Sequence, residues 1–523
     1  MAAQRRPGPV RRSRRTGGAA AHHPHRHPPL SGEGATMRRS TVVTLVVGLV
    51  VGALALFGAP RPPHLTARTT GDADLAAVVR KAAGDTEGLR GLSVALVEPG
   101  GVRVAGLGER NADGAPVEAD TTFEIGSVTK PLTGMLLADQ VAAGVVRPDD
   151  RLRDALPVSG PTGDVTLAEL ASHRAGLPRV PVTSVGGAFG LWWANVTAAD
   201  PYAGQDVDWL TRTAGETEPG DGRGRVEYSN LGAALLGQAL AAKAGTTYPE
   251  LLDRELLTPL GMDRTSVHLD GAAPPAGHAD GGRATGRPTD PWTGSGWVPA
   301  GVGTWSTSGD LGKLVAALLA GTAPGADAAT ARFEEDGRNR IGYGWFTTRH
   351  GDRDVVWHNG GTGGFRAYVG VDRAAGKGVV VLGNTDRSVD PIGLRLLGVP
   401  EEDLPDDSAG LPGWVGVGLA LVFSLIGGLS LLSTARRGPD RLSVLDAALW
   451  VPASLLLAYR LGEWTVLPGW VWAVGCGLGA AGLALAVLRW RALPLVAGVP
   501  PWRRWTGTAL TVFFVLVTFV AVG

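Results

Sequence analysis

The chain has 523 residues, 44% of them hydrophobic, and its 49 basic side chains equal its 49 acidic ones. That length exceeds one ordinary domain, the even charge offers no basic face to a nucleic acid, and a mean hydropathy of +0.09 calls for membrane segments. The only cysteine, Cys476, falls inside an apolar run, which excludes an intrachain disulfide and a cysteine metal site.

Residues 1–36 are rich in Arg, Pro, Gly and His without periodicity, and they are expected to be disordered, translation starting at Met1 or at Met37. The tract His22-His23-Pro24-His25-Arg26-His27 reads as low complexity rather than as a metal site. Residues 37–60 look like an export signal: Arg38 and Arg39, an apolar run over 42–57, then Gly58-Ala59-Pro60. The run is long enough for either a cleaved signal peptide or a signal anchor. A linker over 61–74 leads to the main segment, residues 75–400.

Within that segment the pattern is α+β. A helix around 75–83 precedes strands at 92–97 and 102–107. A short apolar strand, 122–125, then runs into Ser127-Val128-Thr129-Lys130 and an amphipathic helix over 131–145. A serine hydroxyl is nearly inert at neutral pH unless a base takes its proton, and a lysine one helical turn along can do so if burial or nearby charge keeps it neutral. Thr166 and Glu169 read as a capping box for a short helix ending near His173, a histidine taken as structural. After a Gly- and Pro-rich helical middle, Tyr228-Ser229-Asn230 precedes a helical run over 231–244, where Ser229 and Asn230 also suit an N-cap. Strands follow at 342–348, 354–358, 365–371 and 378–383, and the second of these closes on His358-Asn359-Gly360-Gly361. Strands from both ends of the segment must pair to make one sheet.

A Pro-, Asp- and Glu-rich linker over 401–410 leads into residues 411–523, where 411–433, 442–459, 467–488 and 506–522 read as four membrane helices. Arginines cluster between the first and second (Arg436, Arg437, Arg441) and between the third and fourth (Arg489, Arg491, Arg503, Arg504). The positive-inside rule places both loops in the cytoplasm and the main segment outside the cell. Asp446, the one charge within these stretches, is expected to pair with an interface arginine such as Arg441.

Ser-x-x-Lys, Tyr-x-Asn and His-x-Gly, in this order, resemble the three-part signature of serine β-lactamases and penicillin-binding proteins, in particular the class C β-lactamase, D-alanyl-D-alanine carboxypeptidase and esterase branch. Leu170-Ala171-Ser172-His173-Arg174-Ala175-Gly176-Leu177-Pro178 and residues 228–262 are similar to family segments, and the resemblance spans about 75–400. It implies a β-lactamase/transpeptidase-like fold, an antiparallel sheet flanked by helices plus a helical subdomain. The implied roles are Ser127 as nucleophile, Lys130 as its base and Tyr228 as proton donor to the leaving group and activator of water. Asn230 holds the substrate amide and helps place Lys130, and the backbone amides of Ser127 and Gly361, beside Gly360, form the oxyanion hole. No cofactor or metal is implied. His358 stands where penicillin-hydrolysing members usually carry lysine, so carboxylate recognition is expected to weaken and to recover below pH 6.5 as the ring protonates. The expected substrate is a small molecule or peptide: an ester, a cell-wall peptide or a β-lactam. The alternative is a sensor or scaffold that is acylated but turns over poorly.

Overall fold

The computed structural model describes residues 31–181, 186–187, 190–191, 194, 197–269, 271–404 and 413–522. The expectations for residues 1–30 and for most of the 401–410 linker lie outside the described residues. The strands are β1 Thr69–Gly71, β2 Gly91–Glu98, β3 Gly101–Gly108, β4 Phe123–Glu124, β5 Ser266–Val267, β6 Thr304–Ser306, β7 Phe333–Glu334, β8 Asn339–Ile341, β9 Phe346–His350, β10 Arg353–Gly361, β11 Arg366–Asp372 and β12 Lys377–Gly383. Nine form one antiparallel sheet in the order β1-β3-β2-β12-β11-β10-β9-β8-β7, and β4-β6-β5 make a second, small sheet. The two ends of the main segment meet at its centre, where β12 pairs with β2, Val380 opposite Ala95 and Leu382 opposite Ser93.

The central strands are apolar along their whole length because both faces of the sheet are covered. Leu92, Val94, Leu96, Val379 and Val381 point to one side, against Leu75 and Val79 of the helix Ala73–Ala83 and Ile392 of the helix Asp390–Leu397. Ala95, Val97, Val380 and Leu382 point to the other, into a larger core shared with the helices Thr129–Ala142, Asn230–Lys243 and Ser308–Ala320. The helical part therefore packs on one face of the sheet.

Two expectations for this segment shift. The strand expected at 342–348 begins only at Phe346, because Gly342 and Gly344 turn the chain first: Gly344 has φ of +71°, and a Cβ there would sit 2.5 Å from the carbonyl oxygen of Lys130. The edge strands β1, β7 and β8 are too short and too polar for a period-two pattern to register.

Four helices follow residue 413: Gly413–Arg437, Arg441–Leu461, Trp470–Arg489 and Pro501–Val522. Among the described residues, three helices are long and apolar enough to cross a membrane (Trp414–Arg437, Arg441–Leu461 and Trp470–Ala492), not the four expected. The fourth helix, Pro501–Val522, is not among these three, and it carries Arg503 and Arg504 in its opening turn. Arg504, not Arg441, pairs with Asp446, at 3.1 Å, while Arg441 donates to the carbonyl of Trp490 at 3.0 Å. The N-terminal helix Ser31–Ala55 lies along the third of these helices. A Cβ at Gly48 would be 3.0 Å from Ala481, and one at Gly477 would be 2.7 Å from the carbonyl of Gly48, so small residues four apart let the two backbones close up.

Candidate active site

β4 runs into a 3-10 turn, Gly126–Val128, that continues as the helix Thr129–Ala142, and Ser127 sits in this turn. Lys130, one turn on, projects back to the serine: its Nζ lies 2.7 Å from Ser127 Oγ and donates to the carbonyl of Ala300 at 2.6 Å. The lysine is only 2% exposed, and among the described residues no carboxylate pairs with it. Burial, and secondarily the charge of Arg179, holds its pKa well below the usual lysine range. An amine whose charged form is disfavoured by burial, within hydrogen-bond reach of the hydroxyl, is the arrangement a general base requires.

The half-buried Tyr228 hydrogen-bonds the Ser127 side chain, and its ring centroid lies 5.0 Å from Lys130 Nζ. Burial pushes the phenol up to about 12, so it keeps its proton at neutral pH and can donate it. Ser229 is the N-cap of the helix Asn230–Lys243: its Oγ accepts from Gly232 N at 2.9 Å and donates to the carbonyl of Pro178 at 2.9 Å. The side chain of Asn230 hydrogen-bonds Tyr202 rather than Lys130, and its Oδ1 is left without a partner.

His358, Gly360 and Gly361 arrive on β10 from the opposite side. The His358 ring is 1% exposed, with Nδ1 2.5 Å from the carbonyl oxygen of Asn359 and Nε2 unpartnered. Burial, then the nearby Lys130, lowers its pKa to about 3. The expected gain of charge below pH 6.5 therefore does not arise, because the ring has no solvent to stabilise its cation. Gly360 is dictated by contact: a Cβ there would fall 2.0 Å from the carbonyl oxygen of Ile125 and 3.2 Å from Ser127 N. A Cβ on Gly126, whose φ is +50°, would fall 2.8 Å from Gly361 N. The end of β10 is thus pressed onto the serine turn, and the main-chain amides of residues 127 and 361 come within one small group of each other.

Three further residues complete the site, none of which the sequence singled out for it. Glu124, 2% exposed, accepts from Thr362 Oγ1 at 2.7 Å and from Trp292 N at 2.9 Å, tying the ends of two loops to the serine strand. Burial raises its pKa to about 7. His173, at a φ of +55°, accepts through Nδ1 from Ser229 N at 3.3 Å and packs on Tyr228, ring centroids 4.5 Å apart. Arg179 also stands over Tyr228, its guanidinium carbon 5.2 Å from the ring centroid. Ser127, Arg179, Asn230, Trp292 and Gly361 line one cavity of about 140 Å³. A larger cavity of about 1350 Å³, beside Arg460 and Glu463, is lined by none of these residues, though it includes Asn359, the neighbour of His358.

The profile of one family, described as Beta-lactamase, matches residues 75–397. Unguisins hydrolase ungD' of Aspergillus campestris is 26% identical over 353 residues, which are 62% of this chain and 64% of that protein. The D-alanyl-D-alanine-carboxypeptidase/endopeptidase AmpH of Escherichia coli is 29% identical over 154 residues, 28% of this chain and 37% of that one. The chain therefore spans less than two thirds of the length of these relatives. A class C beta lactamase from Rhodobacter sphaeroides superposes with a TM-score of 0.52 at 22% identity, over 62% of this chain and 97% of that one, which establishes a shared fold. The family match covers well over half of the chain, and its limits coincide with the sheet and the helices around it, so the chain belongs to the Beta-lactamase family.

Proposed function

We propose that this chain is a membrane-tethered serine hydrolase that forms an acyl-enzyme at Ser127. The observation that carries the reading is the 2.7 Å approach of a desolvated Lys130 amine to the serine hydroxyl. Lys130 takes the hydroxyl proton as Oγ attacks the acyl carbon, and the carbonyl becomes an oxyanion held by the amides of Ser127 and Gly361. Collapse of this intermediate breaks the bond to the leaving group, which receives a proton from Tyr228. Water, deprotonated through the same tyrosine and lysine pair, then attacks the acyl-enzyme and frees Ser127. Asn230, through its unpartnered Oδ1, accepts from a substrate N–H, and Gly361, next to Gly360 on β10, lines the cavity, with the neutral His358 ring buried on the same strand. The substrate is an ester, a peptide or a β-lactam. The family consists of serine hydrolases, and the proposal adds the site assignment and the location outside the cell, with the arginine loops in the cytoplasm.

The test uses the full chain in detergent. Labelling with a fluorescent penicillin or a fluorophosphonate, followed by the rate at which label disappears, should show capture at Ser127 and release within the time of the assay. Label that persists indefinitely would favour an acylated sensor over a hydrolase. No labelling with either reagent would sink both readings.

A further inference from the structure

Of the residues lining the cavity beside Ser127, Arg179 is the one that bears a charge. Its position is built rather than incidental. Its backbone carbonyl accepts from Asn230 N at 3.1 Å, which locks the segment after Gly176-Leu177-Pro178 to the start of the helix carrying Asn230. Its guanidinium carbon lies 5.2 Å from the centroid of Tyr228, on an exposed side chain. Neighbouring arginines are engaged: Arg174 donates to the carbonyl of Gly224 and Arg223 pairs with Glu169 at 2.8 Å. Among the described residues, the guanidinium of Arg179 has neither an ion pair nor a hydrogen bond. A planar group with five donors, open to the cavity and steadied on an aromatic face, is suited to a carboxylate. The other two basic groups near the serine do not compete for it, since Lys130 serves as base and the His358 ring is sealed in the sheet.

We infer that Arg179 is the specificity-determining residue of the site and that it selects substrates carrying a carboxylate close to the scissile acyl group. This rests on the hydrolase reading above, and it moves anion recognition from β10 to the opposite wall of the cavity.

The test compares two matched pairs of esters on the full chain: 3-carboxyphenyl butyrate with phenyl butyrate, and monophenyl adipate with phenyl hexanoate. Because Arg179 also acts on Lys130, the quantity read is the ratio of kcat/KM for the anionic ester to that for its neutral partner, in which the ionisation of Lys130 cancels. Arg179→Met should lower this ratio roughly ten- to hundredfold in at least one pair, the range expected for a lost charged hydrogen bond. Arg179→Lys should retain part of it, and added salt should erode it in the wild type. The pair that responds tells whether the carboxylate belongs to the acyl part or to the leaving group. An Arg179→Met ratio equal to wild type in both pairs overturns the inference. Ser127→Ala, run alongside, separates the two levels: turnover of phenyl butyrate that survives it defeats the hydrolase reading itself. If the wild type cleaves none of the esters, the same comparison is made by protecting Ser127 from a fluorophosphonate with hippurate and with its neutral amide; equal protection by the two then overturns the inference.

Discussion

The two walls of the site contribute in different ways. The helical wall presents side chains: Ser127, Lys130 and Tyr228 form a contiguous polar group whose chemistry depends on how little water reaches it. The β10 wall presents backbone. His358 turns its ring into the interior, and Gly360 and Gly361 are glycines because the strand touches the serine turn. A substitution on the helical wall should therefore remove a chemical step, whereas one on the strand wall should act through packing and the placement of amides.

The largest effect is expected at the centre of the helical wall. Ser127→Ala or Lys130→Met should lower kcat/KM on the order of 10⁴-fold or more, each nearly as much as the double variant, because the pair acts as a unit. Melting curves of the two variants should overlay that of the wild type. Independent, additive losses would mean that the two residues do not share one proton.

On the other wall, His358→Lys places an ammonium where the ring is now sealed. It should cost about 4 kcal/mol of stability at neutral pH, the order of a buried lysine whose pKa is displaced by three units, and should give no gain on carboxylate substrates. A variant that melts like wild type and gains on carboxylates would return anion recognition to β10.

Gly360→Ala tests the contact directly, since its Cβ would meet the carbonyl of Ile125. Turnover should fall roughly 10²- to 10³-fold, the loss associated with one displaced oxyanion donor, with little change in KM. Gly337→Ala, with no neighbour within 4 Å, is the matched control and should be silent.

The smallest effect concerns the tether between the walls. The carboxyl pKa of Glu124 is raised from 4.5 to about 7, so the native state takes up a proton that the unfolded chain does not. Its buried charge is a cost present in full above pH 7 and relieved as pH falls towards 4.5, roughly 3 kcal/mol across that window. Wild type should therefore gain stability relative to Glu124→Gln when chemical denaturation is moved from pH 8 to pH 5. A constant difference between the two proteins would show that the carboxyl titrates normally.

The local sequence was enough to place the side chains of Ser127 and Lys130 together at a strand-to-helix junction, because residues one helical turn apart need nothing beyond helix geometry to meet. It was also enough for the capping box at Thr166 and Glu169 and for the long strands with two buried faces, whose apolar runs are visible without a partner. The three apolar helices after residue 413 were legible for the same reason, their length and composition being local properties. The fourth stretch, 506–522, is helical as expected but is not among the three described helices long and apolar enough to span.

What only the tertiary structure decided are the quantities set by residues far apart in the chain. Lys130 is identified by its place in a motif, yet the lowering of its pKa comes from burial in the folded domain and from the charge of Arg179, 49 residues away in the chain. His358 occupies a motif position that suggests an ionisable ligand, and the sheet makes it an inert interior ring. Arg179 and Glu124 belong to no motif recognised in the sequence. The first matters because no acidic group among the described residues folds against it, the second because Thr362 and Trp292 do. A motif specifies which groups are available within one or two turns of chain. Desolvation and Coulomb interaction depend on distance through space, and that distance is fixed only when the two ends of the domain meet at β2 and β12.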